Sequence, residues 1–227
     1  MIVIYDFDGT LTPYSLPQYE IIKKCGYNEE KLINRVAEEL TNSKGLYEAY
    51  YKCYTEILLE NNILLTKENV CLGADKVKFN NGVIEYFKNF QSRKTGVKHY
   101  IVTSGIKDYV NKTVIGKYVD GVYGVTFNEE NGIYKDIDIL LTDKKKVDVI
   151  KHVQKDNKET NNIIYFGDGL TDSFAFEYVH SIGGKNVFIA TKNESMETYK
   201  KLNVKGIIDK CFEPDFSMDS ELSKYIQ

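Results

Sequence analysis

The chain has 227 residues, of which 42% are hydrophobic, and a formal net charge of −3 from 30 basic and 33 acidic residues. This length suits one large domain, or one domain with a smaller domain inserted, because compact domains usually have ~100–200 residues. A protein that binds nucleic-acid phosphates usually carries an excess of basic residues, which this chain lacks. No apolar run approaches the ~18 residues that are needed to span a bilayer. We expect a globular protein with neither nucleic acid nor a membrane as partner.

The four cysteines show neither CxxC spacing nor paired clustering, and a chain of this size does not need disulfide bonds for stability. Met1 leads directly into the apolar residues 2–5, without the basic region and cleavage site of a secretory signal. These features predict reduced thiols and a cytoplasmic location.

In chain order, residues 2–5 form a β-branched apolar run, which is typical of a strand buried on both faces of a parallel sheet. From Leu16 to Cys71, apolar residues recur at three- and four-residue spacing, which predicts two or more amphipathic helices. The tyrosines of the segment Tyr47–Tyr54 share this spacing. We interpret them as a packed helix face in preference to a ligand-binding wall.

From Gly82 onwards, helical and strand-like segments alternate, and residues 130–132 carry a hairpin-turn signal. The predicted helices lie near Val83–Phe90, Lys107–Tyr118, Lys145–Val153, Thr171–Val179 and Leu222–Ile226, and the predicted strands near Tyr100–Val102, Val122–Phe127, Ile163–Phe166 and Val187–Ala190. Strands separated by helices imply right-handed crossovers and a parallel sheet covered on both faces.

We therefore predict an α/β fold, a doubly wound, Rossmann-like parallel sheet with a small helical cap inserted after the first strand. The predicted core domain comprises residues 1–14 and 79–227, and the predicted cap comprises residues 15–78. Ligands of such sheets bind outside the carboxyl ends of the strands. The residues that follow each strand are therefore the first candidates for a functional site.

Two carboxylates follow the first predicted strand, in the segment Asp6-Phe7-Asp8-Gly9-Thr10. Residues two positions apart in an extended chain point the same way, so Asp6 and Asp8 address one site if the strand continues. Gly9 relaxes the backbone beside them, and Thr10 offers a hydroxyl. The alternative is an ordinary acidic turn that closes the strand.

The second run of the predicted core, residues 100–102, ends in Thr103-Ser104-Gly105. A hydroxyl and free backbone N–H groups at a helix start would form a phosphate-binding loop. In the alternative interpretation, Ser104 is only the N-cap of the following helix.

The third run, residues 163–166, ends in the sequence GDGLTD, which adds Asp168 and Asp172 at the same edge of the sheet. Carboxylates gathered in this way repel one another, and a divalent cation such as Mg²⁺ is the simplest reason to assemble them. The alternative for Asp172 is an ordinary helix-start residue.

Three consecutive lysines, residues 144–146, precede this run and begin a predicted helix. One of them could offset the carboxylates and hold phosphate oxygens. Three consecutive lysines are usually solvated, so at most one is expected in the site.

Taken together, these segments resemble the motifs of the haloacid dehalogenase-like (HAD) superfamily of phosphohydrolases. The DxDGT segment is similar to the first motif, so Asp6 resembles the nucleophile and Asp8 the acid/base. Ser104 resembles the hydroxyl of the second motif. In the third motif the apolar spacing favours Lys146, with Lys145 as the alternative.

GDGLTD resembles the fourth motif of the same superfamily, with Asp168 as a metal ligand and Asp172 beside it. The resemblance implies a Mg²⁺ cofactor held by Asp6, the Asp8 carbonyl and Asp168. The substrate phosphate would contact Thr10, Ser104, Gly105 and Lys146. The implied reaction is hydrolysis of a small phosphomonoester through an aspartyl phosphate.

Two other functions stay open at this point. A phosphomutase or phosphotransferase would pass the same intermediate to a hydroxyl group, and a non-catalytic binding protein would not turn over at all. Dehalogenation fits less well, because Asp8 suits protonation of the leaving group in phosphoryl transfer.

The helical insert resembles the cap of the phosphoserine phosphatase-like branch, which implies a small phosphorylated metabolite as partner. In that branch, the cap carries an acidic residue soon after the first motif, and this residue recognises an amino group of the substrate. Here Ser15 occupies the region, so the resemblance does not by itself imply phosphoserine as the substrate. Arg35, Lys44 and the tyrosines near Tyr47 are candidates for substrate contact, each with a solvated or packed role as the alternative.

Overall fold

A seven-stranded sheet forms the centre of the molecule, in the strand order β4-β3-β2-β1-β5-β6-β7. All neighbouring strands are parallel except β3 and β4, which form an antiparallel pair. The computed structural model describes residues 1–14, 17, 19–93, 96–158, 160–191 and 193–226. The strands are β1 (Ile2–Tyr5), β2 (Lys98–Ile106), β3 (Gly121–Glu130), β4 (Ile133–Ile139), β5 (Ile163–Gly167), β6 (Lys185–Ile189) and β7 (Lys210–Phe212).

Helices cover both faces of this sheet. Those after β1 are α1 (Glu20–Lys24), α2 (Glu29–Glu39), α3 (Leu46–Glu60) and α4 (Lys67–Val70). The later ones are α5 (Val83–Arg93), α6 (Lys107–Lys112), α7 (Asp143–Asp156), α8 (Ser173–Ser181), α9 (Asn193–Asn203) and α10 (Glu221–Ile226). The predicted α/β fold with a doubly wound parallel sheet is confirmed.

β1 shows why the sheet is buried on both sides. Side chains alternate across a strand, so Ile2 and Ile4 pack into the core with α7 and α8, whereas Val3 and Tyr5 pack into the core with α5 and α10. All four residues are almost inaccessible to water. β1 therefore lies in the middle of the sheet, between β2 and β5.

Several predicted elements differ in detail from those observed. The helix expected over residues 107–118 ends at Lys112, and a 3₁₀ turn occupies Gly116–Tyr118. The hairpin signal is confirmed, because Asn131 and Gly132 both have positive φ between β3 and β4, as two-residue hairpin loops require. The sequence interpretation missed α9 and the three-residue strand β7.

Helices α1–α4 all lie between β1 and α5, where the sequence predicted helical structure. The Asn28 side chain accepts a hydrogen bond from the Lys31 N–H at 2.9 Å and thereby caps α2. Leu32 and Val36, one turn apart, are buried where α2 packs on α3. The domain boundaries at residues 15 and 78 stay a prediction. No described helix is both long and apolar enough to cross a membrane.

His99 on β2 links the stability of the core to pH. Its ring is buried against Tyr5, whose hydroxyl lies 3.0 Å from His99 Nδ1. Burial lowers the pKa of His99 from 6.5 to about 4, although the charge of Asp120 acts in the opposite direction. The unfolded chain therefore binds a proton at a higher pH than the folded chain does.

Because of this difference, stability due to neutral His99 is complete above pH 6.5 and is lost as the pH falls towards 4. We expect this loss to reach roughly 3 kcal/mol of unfolding free energy. Urea unfolding of the native chain and of His99→Asn between pH 4 and pH 7.5 measures it. The same pH dependence in both proteins would contradict the prediction.

Candidate active site

The first acidic segment lies at the carboxyl end of β1, in the middle of the sheet. β1 ends at Tyr5, and residues 8–11 form a turn in which the Leu11 N–H donates to the Phe7 carbonyl at 2.9 Å. The strand therefore does not continue as the i, i+2 argument required. Asp6 and Asp8 nevertheless line one cavity, because the turn, and not an extended strand, brings them there.

Of the three consecutive lysines at positions 144–146, Lys146 is the one that contacts this segment. Its Nζ lies 3.1 Å from Asp6 Oδ1 and 2.8 Å from Asp172 Oδ1, and the side chain is 1% exposed. Lys144 and Lys145 are exposed to solvent. Burial favours the neutral amine, but the charges of Asp172 and Asp6 outweigh it and raise the pKa of Lys146 well above its ordinary value. Lys146 is therefore a buried cation between two carboxylates.

Asp172 is fully buried, and both of its carboxylate oxygens are occupied. Oδ1 accepts hydrogen bonds from Lys146 Nζ and from the Tyr165 hydroxyl, at 2.8 and 2.7 Å. Oδ2 accepts from the backbone N–H groups of Asp168 and Gly169, at 3.1 and 3.3 Å. Asp172 thus fixes the position of the lysine and the shape of the loop after β5.

Asp168 reaches the cavity from this loop. Its Oδ1 accepts a hydrogen bond from the Thr10 hydroxyl at 3.3 Å. Thr10 is fully buried and does not line the cavity. The sequence predicted that Thr10 contacts the substrate phosphate, but in the structure it contacts the acidic side chain of Asp168. This hydrogen bond connects the acidic segment after β1 with the acidic segment after β5.

Two glycines permit the close approach of these carboxylates. Gly9 has φ +81°, and a Cβ at this position would lie 2.1 Å from Asp168 Oδ2. A Cβ at Gly167 would lie 2.4 Å from Asp172 Oδ2. Any side chain at either position would displace a carboxylate.

The Thr103-Ser104-Gly105 segment lies within β2 and not at a helix start. Between the pairs Val102–Tyr123 and Ile106–Val125, β2 advances four residues while β3 advances two. This bulge projects Ser104 and Gly105 into the wall of the cavity. Ser104 is not an N-cap, because the N-cap of α6 is Ile106.

The backbone N–H groups expected to be free in this segment are partly used. The Gly105 N–H donates to Thr103 Oγ1 at 2.9 Å, and the Ile106 N–H donates to the Tyr19 hydroxyl at 2.8 Å. In contrast, the Ser104 Oγ is buried beside the Tyr47 hydroxyl and makes no hydrogen bond of good geometry within the described part of the chain. An unpaired buried hydroxyl is costly unless a ligand satisfies it.

These residues surround a cavity of about 340 Å³. Asp6, Asp8, Ser104, Lys146 and Asp168 form its polar end. Helices α2 and α3 form another part of the cavity wall, to which Tyr47, Tyr50 and Tyr51 belong. Tyr50, Tyr51 and Tyr54 are buried in the core, as the interpretation of a packed helix face predicts, and Tyr47, Tyr50 and Tyr51 line the cavity in addition.

The other candidates for substrate contact lie elsewhere. Arg35 and Lys44 do not line the cavity. The Arg35 guanidinium is paired with Glu60 at 2.6 Å and with Glu56 at 3.2 Å. Ser15, where the sequence lacks the expected acidic residue, lies outside the described residues.

The acidic cluster fits a divalent cation. Asp6, Asp168 and Asp172 each offer one oxygen within 4.8 Å of the others. Asp172 is committed to four hydrogen bonds, which leaves Asp6 and Asp168 to face an ion. Burial and the charge of Asp172 raise the pKa of Asp168 well above its ordinary value. Mg²⁺ prefers a few carboxylates of this kind, completed by water and substrate oxygens.

The pKa values of the first two acids are shifted in the same direction. Burial raises the pKa of Asp6 to about 7, against the opposing charge of Lys146. Burial, followed by the charge of Asp6, raises the pKa of Asp8 well above its ordinary value. A single lysine does not offset this group of carboxylates, and a bound cation would favour their ionised forms.

Sequence reasoning did not assign a positioning role to two tyrosines, Tyr165 and Tyr51. The Tyr165 hydroxyl donates to Asp172, and the Tyr51 hydroxyl donates to the Ser104 carbonyl at 2.7 Å. The only signal in the sequence was a hydroxyl within an otherwise apolar strand or helix face. Neither partner could be identified before the elements were arranged in space.

Comparison with known proteins finds no matching family model and no matching curated protein. Solved structures do match. The match to a structure of phosphoserine phosphatase in its apo form has 20% identity and a TM-score of 0.68. It covers 100% of this chain and 98% of the phosphatase chain. A phospho-aspartyl intermediate analogue of phosphoserine phosphatase matches at 21% identity with the same TM-score and coverage.

A third structure is a HAD family hydrolase from Salmonella enterica subsp. enterica serovar Typhi. It matches at 16% identity and a TM-score of 0.66, over 97% of this chain and 72% of its own. The likeness extends over almost the whole chain in each case. The chain therefore has the fold of the phosphoserine phosphatases and HAD family hydrolases.

Proposed function

We propose that this chain is a magnesium-dependent phosphatase that hydrolyses a small phosphorylated metabolite through an aspartyl phosphate on Asp6. One observation carries the proposal: the Asp6 carboxylate lies 3.1 Å from the buried Lys146 ammonium in a cavity that also contains Asp8 and an unpaired Ser104 hydroxyl. A structure of the same fold, a phospho-aspartyl intermediate analogue of phosphoserine phosphatase, supports an acyl phosphate at this site.

In the first step, an Asp6 carboxylate oxygen attacks phosphorus while the bond from phosphorus to the leaving oxygen breaks. Asp8 donates its proton to that oxygen, and its raised pKa favours the protonated form that this role needs. In the second step, water attacks the phosphorus of the acyl phosphate. Asp8 takes the proton from this water, and Asp6 is released together with inorganic phosphate.

Other residues hold the phosphoryl group during both steps. Lys146 and the Ser104 hydroxyl would contact its oxygens and stabilise their negative charge. Asp6, the Asp8 carbonyl and Asp168 would hold Mg²⁺, which neutralises charge on the nucleophile and the phosphate. Thr10 would act indirectly, by fixing Asp168.

The test is phosphate release from phenyl phosphate by the native chain, with Mg²⁺ and with excess EDTA. We expect release with Mg²⁺ and its loss by at least ~10²-fold in EDTA, because the repulsion between carboxylates and phosphate is then uncompensated. Restoring Mg²⁺ should restore the rate. Acid quenching during turnover should trap one phosphoryl group that hydroxylamine releases, as expected of an acyl phosphate.

The same assay separates the alternatives. Phosphate release that does not depend on a metal, or a trapped phosphoryl group that resists hydroxylamine, would contradict the proposed mechanism. Transfer to an added alcohol in place of water would indicate a phosphotransferase. Absence of turnover with every ester would indicate a binding protein.

A further inference from the structure

The part of the cavity wall that α2 and α3 contribute is mainly apolar. Besides Tyr47, Tyr50 and Tyr51, it includes six apolar side chains, namely Leu32, Ile33, Val36 and Ala37 of α2, Leu40 of the 3₁₀ turn that follows α2, and Leu46 of α3. Ile33, Leu40 and Leu46 are 44%, 41% and 47% exposed. Large apolar side chains so accessible to water at the edge of a cavity indicate a surface that a ligand covers.

The three tyrosines of this wall expose aromatic rings to the cavity, but their hydroxyl groups are directed to other acceptors of the protein. The Tyr47 hydroxyl donates to Asp143 Oδ1 at 2.5 Å, and that of Tyr51 donates to the Ser104 carbonyl. The Tyr50 hydroxyl is directed to the Pro17 carbonyl at 3.5 Å. A ligand in the cavity therefore meets mainly the aromatic rings of these side chains.

None of the charged side chains of α2 and α3, all of which belong to the described residues, lines the cavity. Arg35 pairs with Glu56 and Glu60, and Lys52 pairs with Glu39 at 2.6 Å. Among the described residues that line the cavity, the charged ones are Asp6, Asp8, Lys146 and Asp168, all at the polar end.

We propose that this cavity selects phosphomonoesters whose leaving group is uncharged and apolar; the proposal rests on the proposed function, which places the phosphate at the polar end. An ammonium or carboxylate on the leaving group would lose its hydration against the α2–α3 wall and find no partner of opposite charge there. An aromatic or branched aliphatic group would instead cover the exposed apolar side chains. The volume of about 340 Å³ lies at the lower end of the ~300–1,000 Å³ range of small-molecule sites.

Non-hydrolysable phosphonates test this selectivity without turnover. Propylphosphonate and 2-aminoethylphosphonate have the same number of heavy atoms, and an ammonium in the second replaces a methyl group in the first. We expect isothermal titration calorimetry of the native chain with Mg²⁺ to show at least tenfold tighter binding of propylphosphonate, and still tighter binding of benzylphosphonate. Equal or tighter binding of 2-aminoethylphosphonate would overturn the proposal.

Two leucines of α3 provide a matched pair of variants. Leu46 lines the cavity, whereas Leu59, 77% exposed on the same helix, does not. Leu46→Gln should weaken benzylphosphonate binding about fivefold to tenfold and leave binding of inorganic phosphate unchanged, whereas Leu59→Gln should change neither. Ile33→Gln on α2 is a second cavity variant, and its expected effect is the same as that of Leu46→Gln.

Equal effects of the cavity variants and of Leu59→Gln would overturn the proposal. Phosphate release is measured separately, with phenyl phosphate and phosphoserine. Faster release from phosphoserine would support a phosphatase and overturn the selectivity proposed here. Selective binding of the apolar phosphonates without release from any ester would overturn the proposed function but support the selectivity of the cavity.

Discussion

Replacing Asp6 with asparagine is expected to reduce phosphate release by at least ~10⁴-fold, because loss of a nucleophile removes the covalent route altogether. The amide has nearly the same shape as the carboxylate, so the turn after β1 should be retained. Steady-state release from phenyl phosphate with Mg²⁺ gives the rate, and acid quenching shows whether the protein becomes phosphorylated. We expect no trapped phosphoryl group in this variant.

Asp8→Asn provides the contrast that separates a nucleophile from an acid/base. Phenolate leaves without much help from an acid, so this variant should still be phosphorylated on Asp6. Activation of the attacking water should fail, and the acyl phosphate should accumulate. A phosphorylated Asp6→Asn protein, or one with native activity, would contradict the assignment of Asp6. Thermal unfolding of both variants should show a cooperative transition like that of the native chain.

Replacing Lys146 with methionine should produce the second large effect. Methionine has about the same length but no charge, so Asp6 and Asp172 would stay buried without their cation. We expect kcat/KM to fall ~10²–10³-fold, as on removal of a group that stabilises transition-state charge. The free energy of unfolding should fall by about 3–5 kcal/mol, as for a broken buried ion pair.

The neighbouring lysine is the matched control. Lys145 belongs to the same helix and differs by one position, but its side chain is exposed. Lys145→Met should change kcat/KM by less than twofold and the unfolding free energy by less than about 0.5 kcal/mol, as for most surface substitutions. Similar losses in both variants would show that the Lys146 ion pairs contribute nothing specific to the site.

The parts of this site that sequence could predict are those encoded locally. Apolar runs of four residues mark β1 and β5, and acids follow each run within six residues, so Asp6, Asp8, Asp168 and Asp172 could be placed at one edge of the sheet. Helical spacing after the lysines favoured Lys146 over Lys145, and Lys146 is the lysine that is buried between carboxylates.

The bulge in β2 could not be predicted, because it exists only in the pairing with β3. Free N–H groups were therefore expected at a helix start that lies beyond Ser104 and Gly105. The apolar wall was also not predicted. Leu32 and Val36 have the spacing of any helix face, and that spacing does not distinguish a face packed on other helices from one that also lines a cavity. Strand β7 was too short to give a signal.

Gly9 and Gly167 bear no functional group, yet the distance between the carboxylates depends on the hydrogen atoms that they have in place of side chains. A related chain could retain every acid and the lysine, and still have lost the arrangement through one added methyl group. Divergence of this site would then be invisible in a comparison restricted to its chemically reactive residues. Positions 9 and 167 belong in any inventory that decides whether a distant relative has inherited the site.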